Sequence, residues 1–381
     1  MQRLNLSSLQ LHLTRLLTQG TEKKVFAGAA AAIVAGSGAN RRRVIAAAGV
    51  TRLDNTGVAV GAETFFDLAS LTKPLATALG ILLLVDQGVL HLKSRLVDVC
   101  AYPASADKKG ITIAHLLAHA SGLAPYKEYY RRFPPAATCT HRPELLAAIL
   151  KDPLLYPTGT DCRYSDLGFM LLGEILEQAC SMPLDVFFRQ NIARPLTLKK
   201  DLFFRPLNTK GCGDKNEKMK KRFAATENCP WRQRILQGEV HDEHCYLLGG
   251  IAGHAGLFGT VSGVCTLCTA ILDAWQGRPT PLTISRKTLA KALRPQYPDS
   301  SWCLGFDTPS PTGYSSGGRY LARQSIGHLG YTGTSFWIDP LREIILVLLT
   351  NRVHPSRENK KIRDFRPMFH DQVLSFILQD S

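Results

Sequence analysis

The sequence predicts an α+β fold: one antiparallel sheet formed by both chain ends, flanked by helices, with a mostly helical region inserted between the two halves of the sheet. Two observations predict it. Strand-forming runs occur at 25–34 and 43–48 and return at 256–260, 325–328, 334–338 and 343–350, whereas apolar residues at helical spacing dominate from about 70 to 200. The 381 residues, 45% of them apolar, suffice for a sizeable core. They are read as a single domain with a sheet-bearing part at 1–67 and 255–381 and a helical part at 68–254.

Leu9, Leu13, Leu16 and Leu17 mark one face of a first helix, which Gly20 can close. The first two strands are joined by Gly-Ser-Gly-Ala-Asn at 36–40, a hairpin turn. An extended piece at 64–68 leads into a helix with Leu75, Ala78, Leu79 and Leu82 at helical spacing and Gly88 as its stop. Pro74 is compatible only with the start of that helix, because deeper inside it would delete a backbone hydrogen bond and clash with the preceding turn. The helix therefore begins close to Ser70. Further helices are predicted at 112–119, 143–150, 166–180 and 184–191. Asp339-Pro340-Leu341-Arg342 supplies the turn between the last two strands, and a helix follows at about 359–379.

Forty-six basic against 31 acidic residues give a formal charge of +15, which raises the question of an anionic partner. The excess is scattered. Its longest cluster, Lys210, Lys215, Lys218, Lys220, Lys221 and Arg222, is interrupted by Asp214 and Glu217 and reads as a solvated loop, with no nucleic-acid motif beside it. Nucleic acid is not an expected partner. The ten cysteines lack framework spacing and are expected to be reduced and mostly buried; Cys265 and Cys268, inside a predicted helix at 264–275, read as packing. His241, His244 and Cys245 match no zinc spacing, so neither a metal nor a cofactor is expected. At the N-terminus Asn5, Gln10, His12 and Arg15 interrupt the leucines, unlike the apolar centre of a signal peptide. No uninterrupted apolar run approaches the ~18 residues that span a bilayer, so a soluble cytoplasmic enzyme with no membrane partner is the default expectation. The oligomeric state is not readable from the pattern.

The chemistry concentrates in three places. Phe66-Asp67-Leu68-Ala69-Ser70-Leu71-Thr72-Lys73-Pro74 puts a serine in the first turn of a helix and a lysine one turn later on the same face. A serine hydroxyl is a poor nucleophile until a base takes its proton, and a desolvated lysine of lowered pKa can be that base. Taken alone the pair also fits an N-cap serine with a solvated lysine. Tyr164-Ser165-Asp166 opens the helix at 166–180, and Gly327-His328-Leu329-Gly330-Tyr331-Thr332-Gly333-Thr334 forms a glycine-rich strand where backbone can approach a ligand closely.

The order and content of these elements resemble the serine β-lactamase and penicillin-binding-protein superfamily, in its class C-like branch. The stretches Leu116-Leu117-Ala118-His119-Ala120-Ser121-Gly122-Leu123, Gly249-Gly250-Ile251-Ala252-Gly253-His254-Ala255-Gly256-Leu257-Phe258 and Trp337-Ile338-Asp339-Pro340 resemble it too, and the likeness spans about 20 to 375. The resemblance implies a β-lactamase/transpeptidase-like fold, with Ser70 as nucleophile, Lys73 as its base partner and Tyr164 as proton shuttle. The oxyanion hole would be the backbone N–H of Ser70 and of Tyr331, each donor worth ~3 kcal/mol of barrier. Lys73 and Tyr164 would titrate together, a positive lysine stabilising tyrosinate and a neutral lysine accepting the serine proton.

Two departures bear on substrate. The family's Lys-Thr-Gly is matched by His328-Leu329-Gly330, and an imidazole with a pKa near ~6.5 is mostly neutral at pH 7 where the lysine would hold a carboxylate. Asp166 stands where the family has an asparagine, so it accepts hydrogen bonds but cannot donate. It either pairs with Lys73 or caps the helix that follows. His119 and His254 read as supports of the pocket, and Glu239, His241 and Asp242 are placed along the cleft by the resemblance. The leading expectation is an acyl-enzyme hydrolase of a neutral ester or amide small molecule, carboxylesterase-like. The alternatives are a D,D-peptidase or β-lactamase activity, and a non-catalytic ligand sensor or assembly module on the same fold.

Overall fold

The computed structural model describes residues 5–135, 140–207 and 217–379. Five strands carry its main sheet: β1 (Gly28–Ala35), β2 (Arg42–Gly49), β3 (Ile326–Leu329), β4 (Ser335–Asp339) and β5 (Ile344–Thr350). Five helices position it and the site: α1 (Leu6–Glu22), α2 (Leu79–Asp86), α3 (Asp166–Cys180), α4 (Val261–Gln276) and α5 (Ile362–Gln379). All pairings in the sheet are antiparallel and its order is β2-β1-β5-β4-β3, so the two chain ends meet inside it, Ala29 opposite Thr350 and Ala35 opposite Ile344.

Every residue of β1 is buried because the sheet is covered on both faces. The alternation of a strand divides it: Ala29, Ala31 and Ile33 pack with the α1 leucines and with Phe365, Phe369 and Val373 of α5. Ala30, Ala32 and Val34 join the larger core with Val264, Leu267 and Ile271 of α4 and the helical insert.

Several expectations need correction. Gly20 does not close α1, which runs to Glu22; it makes room for Phe26, whose ring would lie 2.3 Å from an added Cβ. The run at 256–260 does form a strand, Leu257–Gly259, but it leaves the main sheet and pairs with Phe66–Asp67 and Leu202–Phe204 in a separate three-stranded sheet. The helix after Ser70 is not regular. A tight turn at Ala69–Leu71 passes into a wide turn at Lys73–Ala78 before α2 begins. By length and composition Ala69–Asp86 is apolar enough to cross a bilayer, against the sequence reading, yet 83% of it lies buried in the fold, and core packing accounts for its character. The basic cluster lies in part outside the described residues; within them Arg222 pairs with Glu63 and covers the Phe65 ring. Cys265 and Cys268 are buried in α4 and unpaired.

α3 crosses the segment before Leu257 at a point where two glycines meet. A Cβ on Gly253 would stand 2.1 Å from the Phe169 carbonyl and 2.8 Å from the Gly173 Cα. Gly253→Ala is therefore expected to lower stability by about 1–3 kcal/mol, the usual cost of overpacking. A urea midpoint equal to that of the unaltered protein would show that this contact is not tight.

Candidate active site

The small sheet delivers the chain to Ser70. Asp67, at its edge, is buried and accepts the N–H of Ala69 at 2.8 Å and of His241 at 2.6 Å. Burial raises its pKa, with those two bonds opposing. Ala69 then takes φ = +48°, a left-handed conformation unfavourable for a residue with a Cβ, and so turns Ser70 to the head of the following helix. The Ala69 carbonyl accepts from the Thr72 hydroxyl at 2.7 Å. Because a trans peptide aims its C=O and N–H in opposite directions, the Ser70 N–H faces away from that helix.

Lys73 is fully buried. Its Nζ lies 3.0 Å from Ser70 Oγ, 3.0 Å from the His254 carbonyl and 2.6 Å from Asp166 Oδ1. The Tyr164 hydroxyl donates to Ser70 Oγ at 2.7 Å. Burial lowers the Lys73 pKa and Asp166 only partly opposes it, while burial and the Asp166 charge together push Tyr164 well above its ordinary value. Burial thus disfavours the charged form of both groups, the ammonium of Lys73 and the phenolate of Tyr164. Of the two roles open to Asp166, the structure takes the pairing with Lys73. The cap of α3 is Ser165, whose hydroxyl accepts the Gly168 N–H at 3.2 Å.

The glycine-rich segment after β3 is tied to the serine strand from several directions. Thr332 and Thr334 donate to the carbonyls of Asp67 and Leu68 at 2.7 and 3.1 Å. Gly330 has no space for a side chain, since a Cβ would meet Thr334 Oγ1 at 2.0 Å and the Leu68 carbonyl at 2.7 Å. Arg366 of α5 donates to the Gly330 carbonyl and Arg352 to the Tyr331 carbonyl, each at 2.7 Å. With the Gly330 C=O fixed on Arg366, the N–H of the same peptide, that of Tyr331, must point the other way. The Tyr331 ring itself is 50% exposed, stacked against His241 and covered by Arg352. Burial and the neighbouring Arg352 bring Arg366 down to about 9.

His328 and His119 are both buried against the Tyr164 ring, with centroids 6.0 and 4.8 Å away. Burial, with the Lys73 charge second, pushes His328 down to about 3, so it is neutral throughout the physiological range rather than mostly neutral. His119 lies well below its ordinary value for the same reasons. Trp302, unmarked by any motif, faces His119, Tyr164 and His328 at 4.6, 5.5 and 5.9 Å. Asp242 accepts from His254 Nε2 at 2.8 Å and fixes the loop whose carbonyl meets Lys73; burial opposes its charge, but His254 outweighs that and holds the carboxyl far below its usual range. His241 reaches the site through its backbone and its Tyr331 contact. Glu239 is held by Arg234 at 2.8 Å, and Arg232 lies 3.6 Å away. Sequence reading missed Trp302, Arg352 and Arg366, which no local pattern distinguishes from other loop and helix residues.

The family model described as Beta-lactamase matches residues 13–366. N-acetylmuramyl-L-alanine amidase of Bacillus subtilis (strain 168) is 35% identical over 317 residues, covering 77% of this chain and 69% of that protein. In fold, the chain is similar to a penicillin binding protein from Bacillus halodurans, with a TM-score of 0.67 and 19% identity over 91% of this chain and 98% of the other. EstCE1, a hydrolase with promiscuous acyltransferase activity, gives a TM-score of 0.68 at 21% identity over 95% and 99%. With the family model spanning most of its length and such a relative beside it, the chain belongs to the β-lactamase family of serine hydrolases.

Proposed function

We propose that the protein hydrolyses a neutral ester or amide through an acyl-enzyme on Ser70. The observation that carries this reading is the convergence on Ser70 Oγ of a buried lysine at 3.0 Å and a neutral tyrosine at 2.7 Å. Neutral Lys73 accepts the serine proton as Oγ attacks the acyl carbon, and the resulting oxyanion is stabilised by the N–H groups of Ser70 and Tyr331. Tyr164 donates its proton to the leaving alkoxide or amine and is reprotonated from Lys73. Water then attacks the acyl carbon, gives its proton to the same relay and releases Ser70.

The neutral His328 offers no cation to a carboxylate. Short-chain neutral esters are therefore expected to be turned over faster than cephalosporins, and His328→Lys is expected to move the balance toward β-lactams. The measurement is the ratio of kcat/KM for a p-nitrophenyl ester and a chromogenic cephalosporin at neutral pH. A preference of the unaltered protein for the cephalosporin would reverse the substrate assignment. A second reading, cleavage of an amide in N-acetylmuramyl peptides, is supported by the Bacillus subtilis relative. Release of free peptide from such a substrate, absent with Ser70→Ala, would favour it.

A further inference from the structure

Two buried arginines stand behind the turn that carries the Tyr331 N–H, and neither has a carboxylate within ion-pair distance among the described residues. Arg366 of α5 donates to the Gly330 carbonyl at 2.7 Å, and its Nε lies 3.4 Å from the Gly333 carbonyl. Arg352, just past β5, donates to the Tyr331 carbonyl at 2.7 Å. Burying a cation without a counter-ion is costly, and a carbonyl repays less of that cost than a carboxylate would. On the other side of the peptide whose oxygen Arg366 holds, the Tyr331 N–H has no hydrogen-bond partner among the described residues. The peptide that carries the Ser70 N–H is held differently: its carbonyl, that of Ala69, accepts from the neutral Thr72 hydroxyl at 2.7 Å.

We infer that Arg366 is a positioning residue for acyl transfer whose charge, acting through the Gly330–Tyr331 peptide, makes the Tyr331 N–H the stronger of the two donors to the oxyanion. The inference rests on the Ser70 hydrolase reading and deepens it. A peptide is a conjugated unit, so a cation on its oxygen draws electron density from its nitrogen and leaves the N–H more positive. Hydrogen bonds in a chain reinforce one another in this way, and a charged member makes its own bond about twice as strong as a neutral one. The Gly333 N–H, 3.0 Å from the same carbonyl, pulls in the same direction. Arg352 has a different part. Its guanidinium also donates to the Arg357 and Asn359 carbonyls at 3.0 and 2.8 Å, which anchors the turn, whereas Arg366 bears on the donating peptide itself. Strengthening that donor favours the transition state over the bound substrate, because full negative charge reaches the acyl oxygen only as Ser70 Oγ attacks.

The test compares Arg366→Gln and Arg366→Met, which remove the charge, with Arg366→Lys, which keeps it. The probes are a p-nitrophenyl ester and phenylboronic acid, whose tetrahedral adduct on Ser70 puts an oxygen where the oxyanion forms. Both neutral variants are expected to lose about tenfold in kcat, less than the ~10²–10³ that follows removal of a whole oxyanion donor, with KM changed by less than about twofold. The boronate's inhibition constant should rise by the same factor, and Arg366→Lys should keep at least about a third of the activity. A second readout needs no turnover. In ¹⁵N-tyrosine spectra of Ser70→Ala, adding Arg366→Gln should move the Tyr331 amide proton upfield, and Arg366→Lys should bring it back. Absence of ester turnover and of fluorophosphonate labelling in the unaltered protein counts against the hydrolase reading, while the amide shift decides the polarisation by itself. Equal losses in the lysine and glutamine variants, a raised KM in place of a lowered kcat, or an unmoved Tyr331 amide would overturn the inference. Loss of fold in both neutral variants, seen by circular dichroism, would assign Arg366 to stability alone and overturn it as well.

Discussion

Ser70→Ala is expected to leave a folded protein without hydrolase activity, with kcat reduced roughly 10⁴–10⁶-fold. The size of the effect follows from the geometry. Lys73 and Tyr164 both aim at the one oxygen that the substitution removes, so neither retains a group to activate. The cost to the fold is small, because Ser70 Oγ caps no helix and its bonds are to those two side chains. Losing them should cost about 1 kcal/mol, the net worth of an ordinary hydrogen bond. A fluorophosphonate probe gives the complementary readout: the unaltered protein is labelled at Ser70 and the variant is not. Turnover by Ser70→Ala at the unaltered rate, or labelling at another serine, would sink the nucleophile assignment.

The second large effect is on the proton relay. Lys73→Ala and Tyr164→Phe should each depress acylation by about 10²–10⁴-fold, and the double variant should lose far less than the product of the two, since the groups act on one proton. The structure adds a pH signature. Lys73 works as a base only when neutral, so kcat/KM rises as pH rises through its pKa in the free enzyme. Burial lowers that pKa and the Asp166 carboxylate opposes the lowering. Asp166→Asn removes the opposing charge, lets the Lys73 pKa fall further and moves the acid limb of the profile to lower pH. A limb that stays in place or moves to higher pH would show that Lys73 is not the group titrating. Circular dichroism on each variant separates these outcomes from unfolding.

How much of this was legible follows from where the information lies. Ser70, Lys73 and Tyr164 stand at element starts, but a serine and a lysine one turn apart also fit a helix cap with a solvated lysine, and their roles were expected only from the resemblance. The strands and most helices were legible from local pattern, with α3 expected and found at the same bounds. What local pattern cannot carry is partnership. Nothing near residue 257 says that its strand pairs with Phe66–Asp67 rather than with the main sheet, and nothing near residue 366 says that its guanidinium ends on the Gly330 carbonyl. Asp166 shows the boundary within a single residue: capping and pairing were equally open until Lys73, from a different helix, stood 2.6 Å away. The strained Ala69 was equally invisible, because its φ is imposed by Asp67 and the loop around it rather than chosen by alanine.

The meeting of the two chain ends in the sheet has a consequence for synthesis. β1 and β2 can pair as soon as they are made, but the other edge of β1 is completed only by β5, near the far end of the chain. Until then an alanine-rich strand, destined for complete burial, presents an open row of amides and carbonyls, the form in which strands recruit unintended neighbours. Contacts so distant in sequence also slow folding, because the closing of a long loop must precede any return from the pairing. Ser70 precedes Arg366 by 296 residues (366 − 70), and the carbonyl held by Arg366 is fixed only when α5 docks. The surroundings of Ser70 are therefore completed only after the chain has been made as far as α5.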